Sequence, residues 1–274
     1  MTIDYSTPKR EKLKKGYKKR TIQSYLFPIE CAIEEYLNPF ELSDPCIPPI
    51  NVRSEVFFEI SGAYRLIYEY YCLEECMPEA FGYLYLYAAS ILKAYELSYD
   101  EVEVSGKNPA IQRAMDLGVE LNSLVYALVS VNEFETAKKV CQYNNKLLFY
   151  MLNEEYDKAQ EILNEIPDNP DETKEVYYTS SPYLKKIYQA IISGNEKDFE
   201  AAMLYRVKKY RRYTYDYSFI LDTCSITMIK FARKRGLDYH FDIAEIPKYF
   251  LDENNHVDKE LYKLPEVPLR NSDV

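Results

Sequence analysis

The chain has 274 residues, a formal net charge of −10, 47% hydrophobic and 28% charged residues, 29 Tyr, 7 Gly, 2 His and no Trp. Gly falls well under half its average usage of about 7%, so few left-handed turns are expected; no two glycines stand as G-x-G, which excludes a dinucleotide fingerprint and a phosphate loop. With His240 and His256 alone, an H-E-x-x-H site or a His-rich metal cage is excluded, and the balance of apolar and charged residues fits a soluble globular chain.

Residues 1–20 carry eight basic side chains (Lys9, Arg10, Lys12, Lys14, Lys15, Lys18, Lys19, Arg20) against Asp4 and Glu11, a net +6; residues 21–274 therefore hold −16. The first twenty residues read as a basic arm and 21–274 as a single helical domain. No apolar run follows the arm directly and Pro28 interrupts the next one, so no secretory signal is expected. From Asn51 to Met77, Val56, Ile60, Ala63, Ile67 and Tyr70 recur at helical spacing, opposed by a polar stripe of Glu55, Glu59, Gly62, Arg65 and Glu69. Pro78 ends this helix and can open the next. Tyr83-Leu84-Tyr85-Leu86-Tyr87 alternates like a strand, but Leu84, Ala88, Ile91 and Tyr95 continue at helical spacing, and length decides for a helix from Ala80 to Tyr99. Its uncharged core, Ala80 to Leu92, is too short to span a bilayer. Asn108-Pro109 reads as a helix start, followed by an apolar face from Ile111 to Leu128.

Three segments share an aromatic–acid–x–Ala order: Phe134-Glu135-Thr136-Ala137, Tyr156-Asp157-Lys158-Ala159 and Phe199-Glu200-Ala201-Ala202. In helical hairpins the aromatic opens the second helix and Ala permits close approach; the spacings, 22 and 43 residues, do not make a regular array. Pro167-Asp168-Asn169-Pro170-Asp171-Glu172 is the most loop-like interior stretch, and any sub-division is placed near 167–180. Ser181-Pro182 opens a helix to Ser193, Gly194 stops it, and Asn195 caps the next with Asp198 at N3. The last long helix is expected from Asp216 or Ser218 to Gly236. The cations Arg206 to Arg212 and Lys230, Arg233, Lys234 and Arg235 close their helices against the macrodipole. Residues 237–274 read as coil with a short helix near Ile246 to Leu251. The expected fold class is all-α: an irregular helical-hairpin (TPR-like) bundle or short solenoid with a coil-rich tail.

The six cysteines form no C-x-x-C; Cys72 and Cys76, four apart, fall on one helix face, and all six read as free thiols of a reducing cytosol. Tyrosine clusters at Tyr68-Tyr70-Tyr71, Tyr83-Tyr85-Tyr87, Tyr177-Tyr178 and Tyr205 to Tyr217 suit core margins and interfaces alike, and the same excess accompanies A+T-rich coding. Asp216, Asp222, Asp238, Asp242 and Glu245 could form a hard-metal or general-base site, and His240 a proton-transfer group; the plainer reading is solvated surface and helix caps.

The order from Tyr183 to Leu251 is more specific: Ile191-Ile192-Ser193-Gly194-Asn195, an amphipathic helix from Phe199, an aspartate-led helix from Asp222 to Ala232, Lys234-Arg235-Gly236-Leu237-Asp238, then Ile246-Pro247-Lys248-Tyr249-Phe250-Leu251. It resembles bacterial immunity proteins of polymorphic toxin systems, namely the immunity protein 49 family. A related group that guards against nuclease toxins carries Trp in its final helix, which this chain lacks. The resemblance implies a cytoplasmic all-α protein that is not an enzyme, has no cofactor or metal, and neutralises a cognate toxin domain by stoichiometric binding. An acidic body suits a basic toxin such as a nuclease. Candidate contacts are Asp100, Glu101, Glu103, Glu165, Asp168, Asp171 and Glu172, with Tyr177 and Tyr178. Neither a membrane nor direct nucleic-acid contact is expected; a homodimer stays open. Two other readings stand beside it: a helical-hairpin scaffold or regulator that binds a peptide, and a metal-dependent hydrolase built on the Asp216 to Glu245 carboxylates.

Overall fold

A computed structural model of the chain describes residues 14–17, 19–38, 53–105, 121–166, 182–213, 220–237 and 243–269; at 99–105, 143–144, 182–183 and 208–213 only the backbone is described. The protein is all-α, with no strand among the described residues. The helices are α1 (Ile22–Leu37), α2 (Arg53–Leu73), α3 (Met77–Ser105), α4 (121–130), α5 (Phe134–Asn144), α6 (Lys146–Leu152), α7 (Tyr156–Glu165), α8 (Pro182–Ser193), α9 (Glu196–Tyr213), α10 (Thr223–Lys234) and α11 (Lys248–Leu251). No helix among the described residues is long and apolar enough to cross a membrane. Contacts group the chain into two compact units, one holding α1–α3 with the segment 256–269, the other holding α4–α11. The region 167–180 falls inside the second unit's span, and residues 167–181 lie outside the described residues.

In the first unit, Thr21 caps α1 by accepting from Ser24 N–H, and the helix runs through Pro28. Val56, Phe57, Ile60, Ala63, Tyr64 and Ile67 of α2 are buried, with Leu86, Ala94 and Leu97 of α3 in the same core. The expected polar stripe of α2 is corrected at its last member. Glu69 is buried, because Arg65 Nε lies 3.3 Å from one carboxylate oxygen and the Tyr17 hydroxyl donates to the other at 2.5 Å. This bond also ties residue 17, inside the expected basic arm, to α2. Desolvation and the neighbouring Glu69 carboxylate both push the Tyr17 hydroxyl pKa far up. Tyrosines fill the core margin: Tyr71 stacks on Tyr83 at 5.4 Å, Tyr64 meets Tyr83 at 6.0 Å, and Tyr68 meets Tyr87 edge-on at 5.8 Å.

Cys72 and Cys76 do not share a helix face. The helix ends at Leu73, and Cys76 lies beyond a turn whose Glu75 has φ +62°. The same turn recurs four times in the second unit, with positive φ at Asn132, Glu154, Gly194 and Gly236. Each time the next amide donates to the carbonyl five residues back: Glu133 to Leu128, Glu155 to Tyr150, Asn195 to Ala190 and Leu237 to Ala232, all at 2.9 Å. These are Schellman closures. Three of the five left-handed positions are Glu or Asn, so the shortage of Gly does not limit such turns as composition led us to expect.

Three hairpins result, α4–α5, α6–α7 and α8–α9. Ala137 and Ala159 are fully buried one turn into α5 and α7, behind the opening aromatics Phe134 and Tyr156. The third aromatic–acid–x–Ala segment is out of register. Helix α9 opens at Glu196, so Phe199 occupies the place of the buried alanines. The local predictions around it hold: α8 ends at Ser193, and Asn195 Oδ1 accepts from Asp198 N–H at 3.2 Å. Helix α10 begins at Thr223, not at Asp216 or Ser218, in agreement with the aspartate-led helix expected from Asp222. Buried Asp222 is its N-cap, accepting from Ser225 N–H at 3.0 Å and Ser225 Oγ–H at 2.6 Å.

Candidate functional site

The cations that close α10 reach the ends of other helices. Lys230 is fully buried, and its Nζ donates to the carbonyls of Val129 (2.9 Å) and Ser130 (3.0 Å) and to Asn132 Oδ1. The two carbonyls terminate α4, so the ammonium sits at the negative end of that helix. Burial brings its pKa down to about 7. Lys234 lies 4.5 Å from the Phe134 ring and 3.9 Å from Glu154; Arg235 stacks 4.6 Å over Tyr156 and donates to Ile192 O at 3.2 Å. One helix end thereby engages all three hairpin turns, and the aromatics that open α5 and α7 serve as its cation seats. Arg233 donates to Leu251 O at 2.6 Å, while Asn132 Nδ2 donates to the carbonyls of Asp252 (3.0 Å) and Asn255 (2.8 Å).

Beside this junction lies an open depression of about 470 Å³ lined by Arg233, Lys234, Lys248, Leu251, Asp252 and Glu253. The Asn254 backbone N–H and side-chain amide both donate to Asp252 Oδ1 at 2.9 Å and hold that carboxyl below its usual range. The lining mixes three cations with two acids, a surface suited to polar contacts of either sign.

Of the candidate contacts, Glu165 is exposed at the end of α7. Exposed Asp157, Glu161 and Glu165 follow one another four residues apart on α7, and no basic residue occupies its last turn. Like charges at this spacing cost a helix about 0.2–0.5 kcal/mol per pair, and an acid in the last turn opposes the macrodipole. Asp100, Glu101 and Glu103 lie on the α3 backbone, with their side chains outside the described residues. Asp168, Asp171, Glu172, Tyr177 and Tyr178 lie wholly outside them.

The carboxylate set of the hydrolase reading loses Asp222. Its carboxylate caps α10 and takes Arg206 Nη2 at 3.1 Å, with Asp222 buried and Arg206 largely so. Glu245 contributes its backbone carbonyl to Asp222 N–H at 2.8 Å. Asp216, Asp238, Asp242 and His240 are outside the described residues, among which no three His, Cys, Asp or Glu side chains come together. The described cysteines are free; desolvation pushes the Cys141 thiol up to about 12 and the Cys224 thiol up to about 11, which keeps both protonated.

For two residues the sequence reading missed the role: Lys230, placed with the cations that close α10, is buried, and Gly82 was given no role. Lys230, between Ile229 and Phe231 and one turn after Ile226, sits in an apolar run; a lone lysine on such a face is the available signal. Gly82 interrupts the tyrosine-rich interior of α3, where Gly has no conformational reason to stand. Protein-family models, curated proteins and solved structures were each compared with the chain, and none matches it.

Proposed function

We propose that this chain is a toxin-neutralising immunity protein of the polymorphic-toxin type, acting in the cytoplasm by stoichiometric binding to a basic toxin domain, without catalysis or cofactor. The observation that carries the reading is the exposed acidic stripe Asp157, Glu161 and Glu165 on α7, on a chain whose residues 21–274 hold −16. A basic partner that covers the stripe relieves the repulsion between its like charges, and such charge steers encounter. The stripe points along the chain toward Asp168, Asp171 and Glu172, the other acidic candidates.

The reading expects a toxin domain encoded by the gene directly upstream, and co-expression with that domain tests it. The chain should restore growth and bind the domain one to one; failure to rescue removes the proposal. Reversing Asp157, Glu161 and Glu165 to Lys should slow association about tenfold or more at low salt and little at high salt. A matching reversal at Asp168, Asp171 and Glu172 asks whether the contact extends past α7. Unchanged association in both variants would move the contact elsewhere.

A further inference from the structure

Residues 252–269 carry no helix, and from 256 onward they belong to the α1–α3 unit. Their hold on that unit is by side-chain anchors. The Tyr262 ring fills the space that a Cβ on Gly82 would need and meets Tyr83 edge-on at 5.6 Å. Leu264 is half-buried, and Val267 is buried in the same core as Val56, Ile60 and Leu86. Lys259 Nζ lies 5.5 Å from the Tyr85 ring. Residues 264–269 make no hydrogen bond or ion pair among the described residues, and Leu261, Lys263, Glu266 and Leu269 are exposed. Chain from residue 262 to 267 can reach at most about 18 Å, some three helical turns.

Gly82 is explained by the strap. Its φ is not in the left-handed region, so nothing in the backbone requires glycine, and glycine inside a helix costs roughly 1 kcal/mol relative to alanine. The cost is offset only by the aromatic ring that the missing Cβ admits. The strap thus presents an aromatic in a notch, followed by aliphatic anchors on irregular chain, and is held by its side chains more than by its backbone.

We infer that the face of α3 around Gly82, Tyr83 and Tyr85 is a peptide-docking groove. The chain's own strap, residues 259–267, occupies it in cis. The same groove takes, in competition with the strap, an extended peptide bearing an aromatic anchor with aliphatic anchors two and five residues after it. This holds whether or not the chain neutralises a toxin, since the acidic stripe belongs to the other unit.

The test titrates a fluorescent peptide of residues 257–269 onto the full chain. Wild type should bind weakly, because a tethered strap competes at an effective concentration of about 1 mM. Tyr262→Ala, whose strap lacks its anchor, should bind the peptide at least about tenfold tighter. Adding Gly82→Ala to that variant should abolish the gain, as should a peptide carrying Ala in place of its tyrosine. Equal binding by wild type and Tyr262→Ala overturns the inference, and so does a gain that survives Gly82→Ala. Gly82→Ala alone places a better helix former in α3, so the fold should persist by far-UV circular dichroism. Trypsin should then cut after Lys263 about tenfold faster than in wild type; an unchanged rate overturns the inference independently of any peptide.

Discussion

Replacing Lys230 with Met tests the physics of the junction. Methionine keeps the length and apolar stem of the lysine but removes the buried charge and its three donations, to Val129 O, Ser130 O and Asn132 Oδ1. Burial brings the folded-state pKa of Lys230 down to about 7, whereas an unfolded lysine titrates near 10.4. Between these values the unfolded state binds more protons, so this residue makes stability rise as pH rises. The penalty is fully present below pH 7 and fades as pH approaches the unfolded pKa. Integrated from pH 7 to pH 10, the linkage amounts to roughly 3–4 kcal/mol. Other groups oppose it: the Cys141 and Cys224 thiols, raised to about 12 and about 11, make stability fall above the ordinary thiol range. The difference between wild type and Lys230→Met cancels those terms. Urea unfolding at pH 7, 8, 9 and 10 under reductant, followed at 222 nm because the chain has no Trp, should show wild type gaining on the variant at each step. A difference that stays flat would mean that the three acceptors hold the ammonium charged through pH 10, and would refute the desolvation argument.

Asp222→Ala should destabilise the α4–α11 unit by about 3–5 kcal/mol, because it removes the α10 cap and breaks the largely desolvated ion pair with Arg206. Asp222→Asn, which keeps a cap acceptor, should fall between that variant and wild type in urea midpoint. Tyr17→Phe removes the hydroxyl that donates to buried Glu69 and should cost about 1–2 kcal/mol in thermal unfolding. Proteolysis within residues 14–20 should be faster in the same variant, since this bond ties the basic stretch to α2.

Helix ends set by neighbouring residues were legible from the sequence. Pro182, Gly194, Asn195 and Asp198 place the α8–α9 turn because each acts on its own backbone within one helical turn. The start of α10 was read two ways, from Asp216 or Ser218 by periodicity and as an aspartate-led helix from Asp222 by resemblance. The second holds, because Asp222 caps its own helix at Ser225 N–H, while its distant partners, Arg206 and the Glu245 carbonyl, could not be read from the sequence. Of the candidate site, the sequence supplied the charge and Glu165, while the run Asp157, Glu161 and Glu165 became a face only once α7 had its bounds. The motif aromatic–acid–x–Ala was visible, but its cations were not: Lys234 and Arg235 lie far along the chain from Phe134 and Tyr156.

The sequence by itself determined an all-α chain with an acidic body, since helical periodicity and net charge follow from residue order and count. Only the tertiary structure decided which polar groups leave water. Glu69, Lys230 and Asp222 read as surface residues and are buried, because each meets partners that folding brings from elsewhere in the chain. It also decided why Gly82 is glycine. The ring that requires the missing Cβ comes from Tyr262, 180 residues away, and no local rule could have paired them.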